Sequence, residues 1–268
     1  MAGSDAPLAA RFSMQGRRAL VVGGSLGIGR AIVEAFAEAG ASIAIAYSPA
    51  ADALVGRGDS AAELLRALTD KGGHAALLDV DLAQPGEGAR LVARAEAGLG
   101  GVDVLVIAAS VQQREAFTDI SPEQRERQTR INFHASVEMM QAVVPGMRGR
   151  AYGRILTIGS VNQTRPEPEL AIYAALKSAQ HNIVVNLARA LAPDGITVNN
   201  LSPGLIATDR NRWRRVNMAE WREIEAKANP MHRAGTPREM AGAALMLCSD
   251  AGSFITGIDL QATGGGHL

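Results

Sequence analysis

The sequence lacks features that several common classes of protein depend on. Its 268 residues include one cysteine, Cys248, which excludes a framework of internal disulfides and favours a reducing compartment. Lysine plus arginine and aspartate plus glutamate number 27 each, so no charge excess favours nucleic acid or anionic membranes. No apolar run approaches the ~20 residues that span a bilayer. We expect a cytoplasmic protein with a small-molecule substrate and no nucleic-acid or membrane partner.

The five histidines are scattered along the chain. None of them has a ligand-like spacing from Cys248 or from another histidine, whereas zinc and related metals are held by such residues at short, regular spacings. No metal site is therefore predicted.

Residues 1–15 contain one arginine, Arg11, and lack the apolar core and small-residue cleavage site of a secretory signal. We interpret this segment as a flexible N-terminal tail. The whole chain is 47% hydrophobic and 20% charged, a composition that supports a large core. No linker or repeat divides it, so residues 16–268 are predicted to form one domain.

Short apolar runs alternate with helical patterns along this domain. Seven strands are predicted, at 18–22, 43–46, 75–78, 102–108, 154–159, 196–201 and 259–262. Strands that alternate with helices pair in parallel through helical crossovers. The predicted fold is α/β: a doubly wound Rossmann domain with a seven-stranded parallel sheet and helices on both faces.

The first strand runs directly into a glycine-rich turn, which we call the glycine loop: Gly23, Gly24, Ser25, Leu26, Gly27, Ile28 and Gly29. A helical pattern follows. Glycines let the backbone approach a pyrophosphate, which then meets the N–H groups at the start of the helix. The spacing is G-x-x-x-G-x-G and not the usual dinucleotide fingerprint. We predict a dinucleotide phosphate site here, with a plain strand-to-helix turn as the alternative.

The second strand ends at Tyr47 and Ser48 without an acidic residue. Many NAD sites place an acid there, which binds the ribose hydroxyls and would repel the 2′-phosphate of NADP. Arg57 lies in the loop expected after this strand. NADP is therefore the preferred cofactor, with NAD as the alternative.

A tyrosine and a lysine on one predicted helix form the candidate catalytic pair. Tyr173 and Lys177 are four residues apart and so lie on one helix face. A nearby ammonium favours the phenolate, so the phenol can exchange a proton with a carbonyl or alcohol oxygen. Ser160 follows the fifth strand, at the sheet edge where ligands bind in such folds. A pair on a solvated helix face is the alternative.

Asn132 lies between Ile131 and Phe133 in a long predicted helix that begins at Ser121. It is expected to face inward, where a buried amide must be hydrogen-bonded. Two roles stay open from the residues alone: a structural bridge, or an anchor for water at the site.

Two further segments carry predictions. The helix with Tyr173, extending to residue 192, is apolar nearly all round, which is typical of a helix buried on more than one side; we expect it to form a subunit interface in a homotetramer or homodimer. Residues 205–235, rich in arginine, tryptophan and methionine, are expected to form a lid over the site.

Taken together, the chain resembles the short-chain dehydrogenase/reductase family over about residues 16–266, particularly its 3-oxoacyl-carrier-protein reductases and sugar or polyol dehydrogenases. The resemblance is carried by Gly23-x-x-x-Gly27-Ile28-Gly29, Asp79-Val80, Asn132, Ser160, Tyr173-x-x-x-Lys177, Pro203-Gly204 and Thr208. It implies that Tyr173 is the acid/base, that Lys177 assists it and holds the nicotinamide ribose, that Ser160 orients the substrate, and that Asn132 holds a water linked to Lys177.

The resemblance also implies where the cofactor lies. Asp79 and Val80 would line the adenine, and residues 203–208 would support the nicotinamide. The complete set of expected cofactor contacts is Gly23, Ser25, Leu26, Gly27, Ile28, Gly29, Tyr47, Ser48, Asp79, Val80, Ala108, Ala109, Tyr173, Lys177, Pro203, Gly204, Ile206 and Thr208.

The chain departs from the family pattern at two places. Residues 107–110 read Ile-Ala-Ala-Ser where the family usually has Asn-Asn-Ala-Gly, and Val22 replaces a threonine before the glycine loop. The expected activity is a nicotinamide-dependent interconversion of a carbonyl and a secondary alcohol. The alternatives are a non-catalytic cofactor-binding sensor or scaffold and a cofactor-free lyase or dehalogenase. The lid arginines and Arg165 are candidates for an anionic substrate group; a solvated face is the other interpretation.

Overall fold

The computed structural model describes residues 7–268 of the chain. The seven strands are β1 (Arg18–Val22), β2 (Ser42–Tyr47), β3 (Ala75–Asp79), β4 (Val104–Ile107), β5 (Gly153–Ile158), β6 (Ile196–Pro203) and β7 (Asp259–Ala262). All pair in parallel, in the order β3-β2-β1-β4-β5-β6-β7. The predicted seven-stranded parallel sheet is confirmed.

The α-helices of the described residues are α1 (Gly27–Glu38), α2 (Pro49–Leu54), α3 (Ser60–Thr69), α4 (Glu87–Leu99), α5 (Pro122–Thr129), α6 (Ala135–Gly149), α7 (Ala171–Leu191), α8 (Met218–Ala228) and α9 (Pro237–Cys248). Two separate cores show that these helices cover both faces of the sheet. One core joins α1 and α9 to Ala19 and Val21, whereas the other joins α4, α6 and α7 to Leu20 and Val22. Alternate residues of β1 thus point to opposite faces, which is why its sequence is continuously apolar.

The residues after Ser48 differ from the prediction of a loop. Ser48 caps α2 by accepting a hydrogen bond from the N–H of Ala51, and Pro49 occupies the first turn. Both residues favour a helix start. The loop prediction was wrong for residues 49–54 because the helix spans six residues, too few for a periodic pattern to be recognised.

The long helix expected from Ser121 is interrupted. A capping box between Ser121 and Gln124 starts α5, as the serine and proline predicted, but Arg130–His134 form a π-helix before α6 continues. Asn132 lies at the centre of this π-helix and is fully buried. Such segments are rare and commonly accompany functional sites.

The chain from residue 7 onward is docked on the domain. Leu8–Phe12 form a 3₁₀ helix, Arg11 donates hydrogen bonds to the Asp250 carbonyl and to Ser253 Oγ at 3.0 and 3.2 Å, and Met14 is fully buried. The flexible tail expected over residues 1–15 is therefore replaced by a docked segment from residue 7; residues 1–6 lie outside the described part.

Candidate active site and dinucleotide cleft

The predicted site residues follow neighbouring strands at one edge of the sheet. Val22 is in register with Ala46 and Ile107, and Ile107 is in register with Thr157. The segments after β1, β4 and β5 therefore leave the sheet side by side. One strand separates β1 from β5, so their ends are roughly 10 Å apart at the usual strand spacing. This edge brings the glycine loop and Ser160 to one cleft.

The glycine loop is shaped by close backbone contacts. Gly23 has a φ of +80°, and a Cβ placed on it would lie 2.7 Å from the backbone nitrogen of Ala109. A Cβ on Gly29 would lie 2.0 Å from the Gly23 carbonyl oxygen. Only glycine fits these two positions. The loop is therefore folded tightly on itself and against the segment after β4.

Two backbone hydrogen bonds anchor the segment that follows β4. The N–H groups of Ala108 and Ala109 both donate to the Val22 carbonyl, at 2.9 and 2.8 Å. The segment with the unusual Ile-Ala-Ala-Ser sequence is thus fixed to the strand that leads into the glycine loop. The two departures of the sequence, at residues 107–110 and at Val22, meet at this contact.

The start of α1 is suited to a phosphate. Its N-cap residue is Leu26, no side chain in the described part of the chain caps it, and its first turn contains no acidic residue. The first N–H groups of a helix carry a partial positive charge and require acceptors. A pyrophosphate would supply such acceptors, so the residues fit the dinucleotide predicted for this site.

A buried carboxylate lies beside the glycine loop, where the sequence predicted no acid. Asp52 is 4% exposed; its carboxylate accepts hydrogen bonds from Ser25 Oγ at 3.1 Å and Ser60 Oγ at 3.3 Å. Burial raises the pKa of Asp52, although both serine hydrogen bonds act in the opposite direction. Arg57 pairs with Asp209 at 3.3 Å and Glu63 at 3.7 Å. The segment after β2 therefore contains a buried carboxylate that contacts the glycine loop and a guanidinium paired with Asp209 and Glu63.

The residues predicted to line the adenine lie at the end of β3. Asp79 is in register with Tyr47, and its carboxylate accepts from Arg94 at 3.1 Å. The Val80 N–H donates to the Tyr47 carbonyl at 2.9 Å, and Val80 is buried. The ends of β2 and β3 are therefore fixed to each other beside the glycine loop.

Tyr173 and Lys177 lie on the buried face of α7. Their side chains are 6% and 1% exposed, and the Lys177 Nζ is 5.9 Å from the centre of the Tyr173 ring. Lys177 Nζ donates to the Ile158 carbonyl at 2.6 Å, at the end of β5, and to Gln180 Oε1 at 3.1 Å. Burial, and to a smaller extent the positive charge of Arg210, lower the pKa of Lys177 to about 7. A proton can therefore leave or join this amine near neutral pH.

Ser160 follows β5 and is buried with its neighbour Asn162. Its Oγ accepts from the Asn162 N–H at 3.2 Å, and its own N–H donates to Gln163 Oε1 at 2.9 Å. These bonds fix the turn that follows the strand. The hydroxyl hydrogen of Ser160 is not used by the Asn162 contact, since Ser160 accepts there, and it can be donated to a substrate oxygen.

Asn132 is a structural bridge in this structure. Its Oδ1 accepts from the Val111 N–H at 2.9 Å and its Nδ2 donates to the Val111 carbonyl at 2.8 Å. These bonds connect the π-helix to the segment after β4. The side chain is thus committed to Val111, and the backbone carbonyl of Asn132 accepts from Ser136 Oγ at 3.2 Å.

The remaining predicted contacts follow β6, where Pro203 is the last strand residue. A Cβ on Gly204 would lie 2.9 Å from Thr263 Cα, and one on Gly27 would lie 3.4 Å from Thr208. Thr208 therefore approaches the glycine loop. Ile206 is buried and forms an isolated bridge with Gly235, which closes the two ends of the segment predicted to be a lid.

The lid segment contains a 3₁₀ helix, Asp209–Arg215, and helix α8. Arg210 Nη2 donates to the Ser110 carbonyl at 2.8 Å and to Ser110 Oγ at 3.0 Å. Asp209 pairs with Arg57. The segment is thereby attached on both sides of the cleft, and the charge of Arg210 acts on Lys177. Arg165 instead donates to the Gly266 carbonyl at 2.9 Å.

Sequence reasoning missed three polar residues of this region. Gln180 contacts Lys177, Asp52 contacts the glycine loop, and Ser110 contacts Arg210. Gln180 could have been found, because it lies three positions after Lys177 and so shares its helix face. Asp52 and Ser110 lie in segments without periodicity, so their partners depended on the tertiary fold.

Within residues 7–268, no group of three or more histidine, cysteine, aspartate or glutamate side chains is arranged to hold a metal ion. Among the same residues, no helix is long and apolar enough to cross a membrane. Cys248 is buried, and burial raises the pKa of its thiol to about 12.

Comparison with known proteins gives matches over nearly the whole chain. The sequence model of one family, described as enoyl-(acyl carrier protein) reductase, matches residues 23–267. An acetoacetyl-CoA reductase of Shinella zoogloeoides is 34% identical over 93% of this chain and 98% of its own. An L-rhamnose 1-dehydrogenase (NADP(+)) of Thermoplasma acidophilum is 32% identical over 95% of this chain and 97% of its own.

A solved structure is also similar. The crystal structure of a 3-oxoacyl (acyl-carrier-protein) reductase from Agrobacterium tumefaciens C58, with NADP bound, is 40% identical and has a TM-score of 0.91. The similarity covers 99% of this chain and 100% of that one. All of these matches are described as reductases or dehydrogenases, and the rhamnose dehydrogenase and the solved structure are described with NADP.

Proposed function

Because the chain belongs to the short-chain dehydrogenase/reductase family of oxidoreductases, we propose that it interconverts a carbonyl and a secondary alcohol on a small substrate, with Tyr173 as acid/base. The observation that carries this proposal is the buried pair of Tyr173 and Lys177, which is tied to the end of β5 through the Ile158 carbonyl. The end of β5 and the start of the glycine loop lie at the same edge of the sheet.

The cofactor is NADP or NAD, and it supplies or accepts the hydride. Similar proteins favour NADP: one relative is named for NADP(+) and one solved structure contains it. The glycine loop and the start of α1 would hold the phosphates. Arg57, whose side chain is one third exposed, would approach a 2′-phosphate. Asp52 is buried and its carboxylate accepts from Ser25 and Ser60, so it would support the glycine loop and would not contact the ribose.

The side chains divide the remaining work. Ser160 would donate its hydroxyl hydrogen to the substrate oxygen and so orient it. Tyr173 would give a proton to that oxygen in reduction and take one from it in oxidation. Lys177, whose Nζ lies 5.9 Å from the centre of the Tyr173 ring, would hold the nicotinamide ribose. Burial of all three residues excludes bulk water, which strengthens each of these interactions.

Changing Tyr173 to phenylalanine tests the acid/base role. The ring and its packing are retained, so NADPH binding, measured by its fluorescence, should be unchanged. Turnover should fall by at least ~10²-fold, the usual contribution of a positioned acid or base. The assay requires a panel of sugars, polyols, hydroxy acids and oxoacyl thioesters with both cofactors. Binding of NADPH without turnover of any of them by the wild-type protein would favour the sensor or scaffold.

For the substrate, we propose that Arg210 recognises an anionic group. Its guanidinium attaches to Ser110 across the cleft, and its charge reaches Lys177; a guanidinium suits carboxylate or phosphate. Arg165 is the weaker candidate because it donates to the Gly266 carbonyl, whereas the charge of Arg210 acts on Lys177 in the active site. Arg210→Ala should raise KM for hydroxy acids or thioesters about tenfold or more, and Arg165→Ala should raise it less. Equal effects of Arg210→Ala on neutral and anionic substrates would contradict this assignment.

We also retain the proposal of a homotetramer or homodimer formed through α7. The outward face of α7 is partly apolar, with Val185 43% exposed and Ile183 and Leu187 half-buried. Sedimentation of the wild-type protein and of Val185→Glu tests it: the variant should dissociate. We propose a cytoplasmic location.

A further inference from the structure

A continuous chain of buried hydrogen bonds leads from Lys177 to the π-helix. Lys177 Nζ donates to Gln180 Oε1 at 3.1 Å, and Gln180 Nε2 donates to Ser136 Oγ at 2.8 Å. Ser136 Oγ then donates to the Asn132 carbonyl at 3.2 Å. Gln180, Ser136 and Asn132 are at most 2% exposed. This chain uses two side chains to which no role has been assigned above.

The direction of these bonds follows from the chemistry of the first one. An ammonium has only donors, so the amide oxygen of Gln180 must face Lys177 and its NH₂ must face Ser136. Ser136 then accepts from Gln180, and its hydroxyl hydrogen is free for the Asn132 carbonyl. The charged amine thus fixes the donor and the acceptor of each bond in the chain.

This arrangement has two consequences for Lys177. The negative end of the Gln180 amide dipole points at the ammonium and favours its charged form, which burial disfavours. The ammonium carries three hydrogens, and the Ile158 carbonyl and Gln180 hold two of them. The third is left for the cleft, where the nicotinamide ribose and Tyr173 are expected.

We propose that Gln180 is a positioning residue, which with Ser136 favours the charged form of Lys177 and directs its remaining hydrogen into the active site. This inference deepens the proposed function and rests on it for its catalytic meaning. The ionisable groups near the amine are Tyr173 and Arg210. Because Arg210 repels the ammonium, it cannot provide the stabilisation that Gln180 provides.

The first test requires no substrate. The free energy of unfolding in urea is measured against pH for two pairs of proteins. The first pair is the wild-type protein and Lys177→Met; the second is Gln180→Met and the double variant Gln180→Met/Lys177→Met. Within each pair, the difference in free energy of unfolding reports the titration of Lys177. Methionine matches glutamine in length and removes the acceptor. This difference begins to rise at the pH where Lys177 of the folded protein loses its proton. In the Gln180→Met pair this pH should be lower by roughly one unit or more, because a hydrogen bond that favours the charged amine has been removed.

Two variants sharpen this test. Ser136→Ala removes the middle link and should shift the same pH in the same direction by less. Ser178→Ala is the matched control, because Ser178 lies next to Lys177 in sequence but donates to the Ala174 carbonyl in its own helix; it should leave the pH unchanged. A purely structural Gln180 would lower stability equally at all pH values, and an unshifted pH would overturn the proposal.

A second measurement separates this inference from the proposed function. NADPH fluorescence is titrated with the wild-type protein and Gln180→Met at pH 6 and pH 8. We expect Gln180→Met to weaken binding, and the loss to be larger at pH 8, where more of its Lys177 is neutral. If the wild-type protein does not bind NADPH, the proposed function fails while the unfolding test of Gln180 still stands. If NADPH binds equally to both proteins at both pH values, the role of Gln180 is refuted.

Discussion

Replacing Lys177 by methionine should make the stability of the protein respond differently to pH. In the folded protein the pKa of Lys177 is about 7, against 10.5 for a free lysine. Between these two values the unfolded chain binds a proton that the folded protein does not. The free energy of unfolding of the wild-type protein therefore contains a contribution that rises with pH from about 7 to 10.5, whereas Lys177→Met has no such proton.

The size of this contribution follows from the linkage relation. Each pH unit in this range adds about 1.4 kcal/mol to the free energy of unfolding of the wild-type protein. Between pH 7 and pH 9, the free energy of unfolding of the wild-type protein should therefore rise by about 2 to 3 kcal/mol relative to that of Lys177→Met. A second contribution does not vary with pH. Methionine leaves the Ile158 carbonyl and Gln180 Oε1 without their donor, which costs ~1–3 kcal/mol for each buried acceptor.

Urea unfolding monitored by circular dichroism at pH 6, 7, 8 and 9 measures both contributions, at one fixed protein concentration because the chain is proposed to be oligomeric. The difference between the two proteins should be constant below pH 7 and should grow above it. Lys71→Met, an exposed lysine after α3, is the control and should show no such growth. A difference that is constant from pH 6 to 9 would refute the argument that Lys177 loses its proton near neutrality.

Two other changes have defined outcomes. Gly23→Ala places a Cβ 2.7 Å from the Ala109 nitrogen at a positive φ, so its affinity for NADPH should fall at least tenfold. The control is Gly72→Ala, where the φ is similar but a Cβ would have no atom within 4 Å; this variant should bind NADPH normally. Equal losses of affinity in the two variants would contradict the role of the Ala109 contact. Thr236→Ala removes the hydroxyl that accepts from the Glu239 N–H at 3.3 Å and should lower the free energy of unfolding by about 1 kcal/mol; an unchanged urea midpoint would contradict this.

Much of the fold could be predicted because strands buried on both faces leave continuous apolar runs in the sequence. β1 was predicted with its observed bounds, and β7 likewise. The glycine loop was also predictable, since the strand before it and the helix after it were both clear. The pattern of the whole chain specified the sheet, because alternating strands and helices leave few arrangements.

Features that depend on tertiary contacts could not be read in this way. The π-helix around Asn132 has no sequence signal of its own, and α2 is too short for periodicity. For the site, the spacing of Tyr173 and Lys177 indicated a shared helix face, and both lie buried on α7. The partners of these side chains could not be predicted: Asn132 is bonded to Val111, and Lys177 to Gln180, across segments far apart in sequence.

The contact between the Ala108 and Ala109 N–H groups and the Val22 carbonyl makes the wall of the cofactor cleft independent of side-chain identity at these positions. Main-chain bonds survive substitution, so a library of variants at residue 108 should retain folding for many small side chains and could be used to change which cofactor or substrate enters. Residue 109 should be more restrictive, because its backbone lies so close to Gly23 that a Cβ on that glycine would be 2.8 Å from the Ala109 Cα.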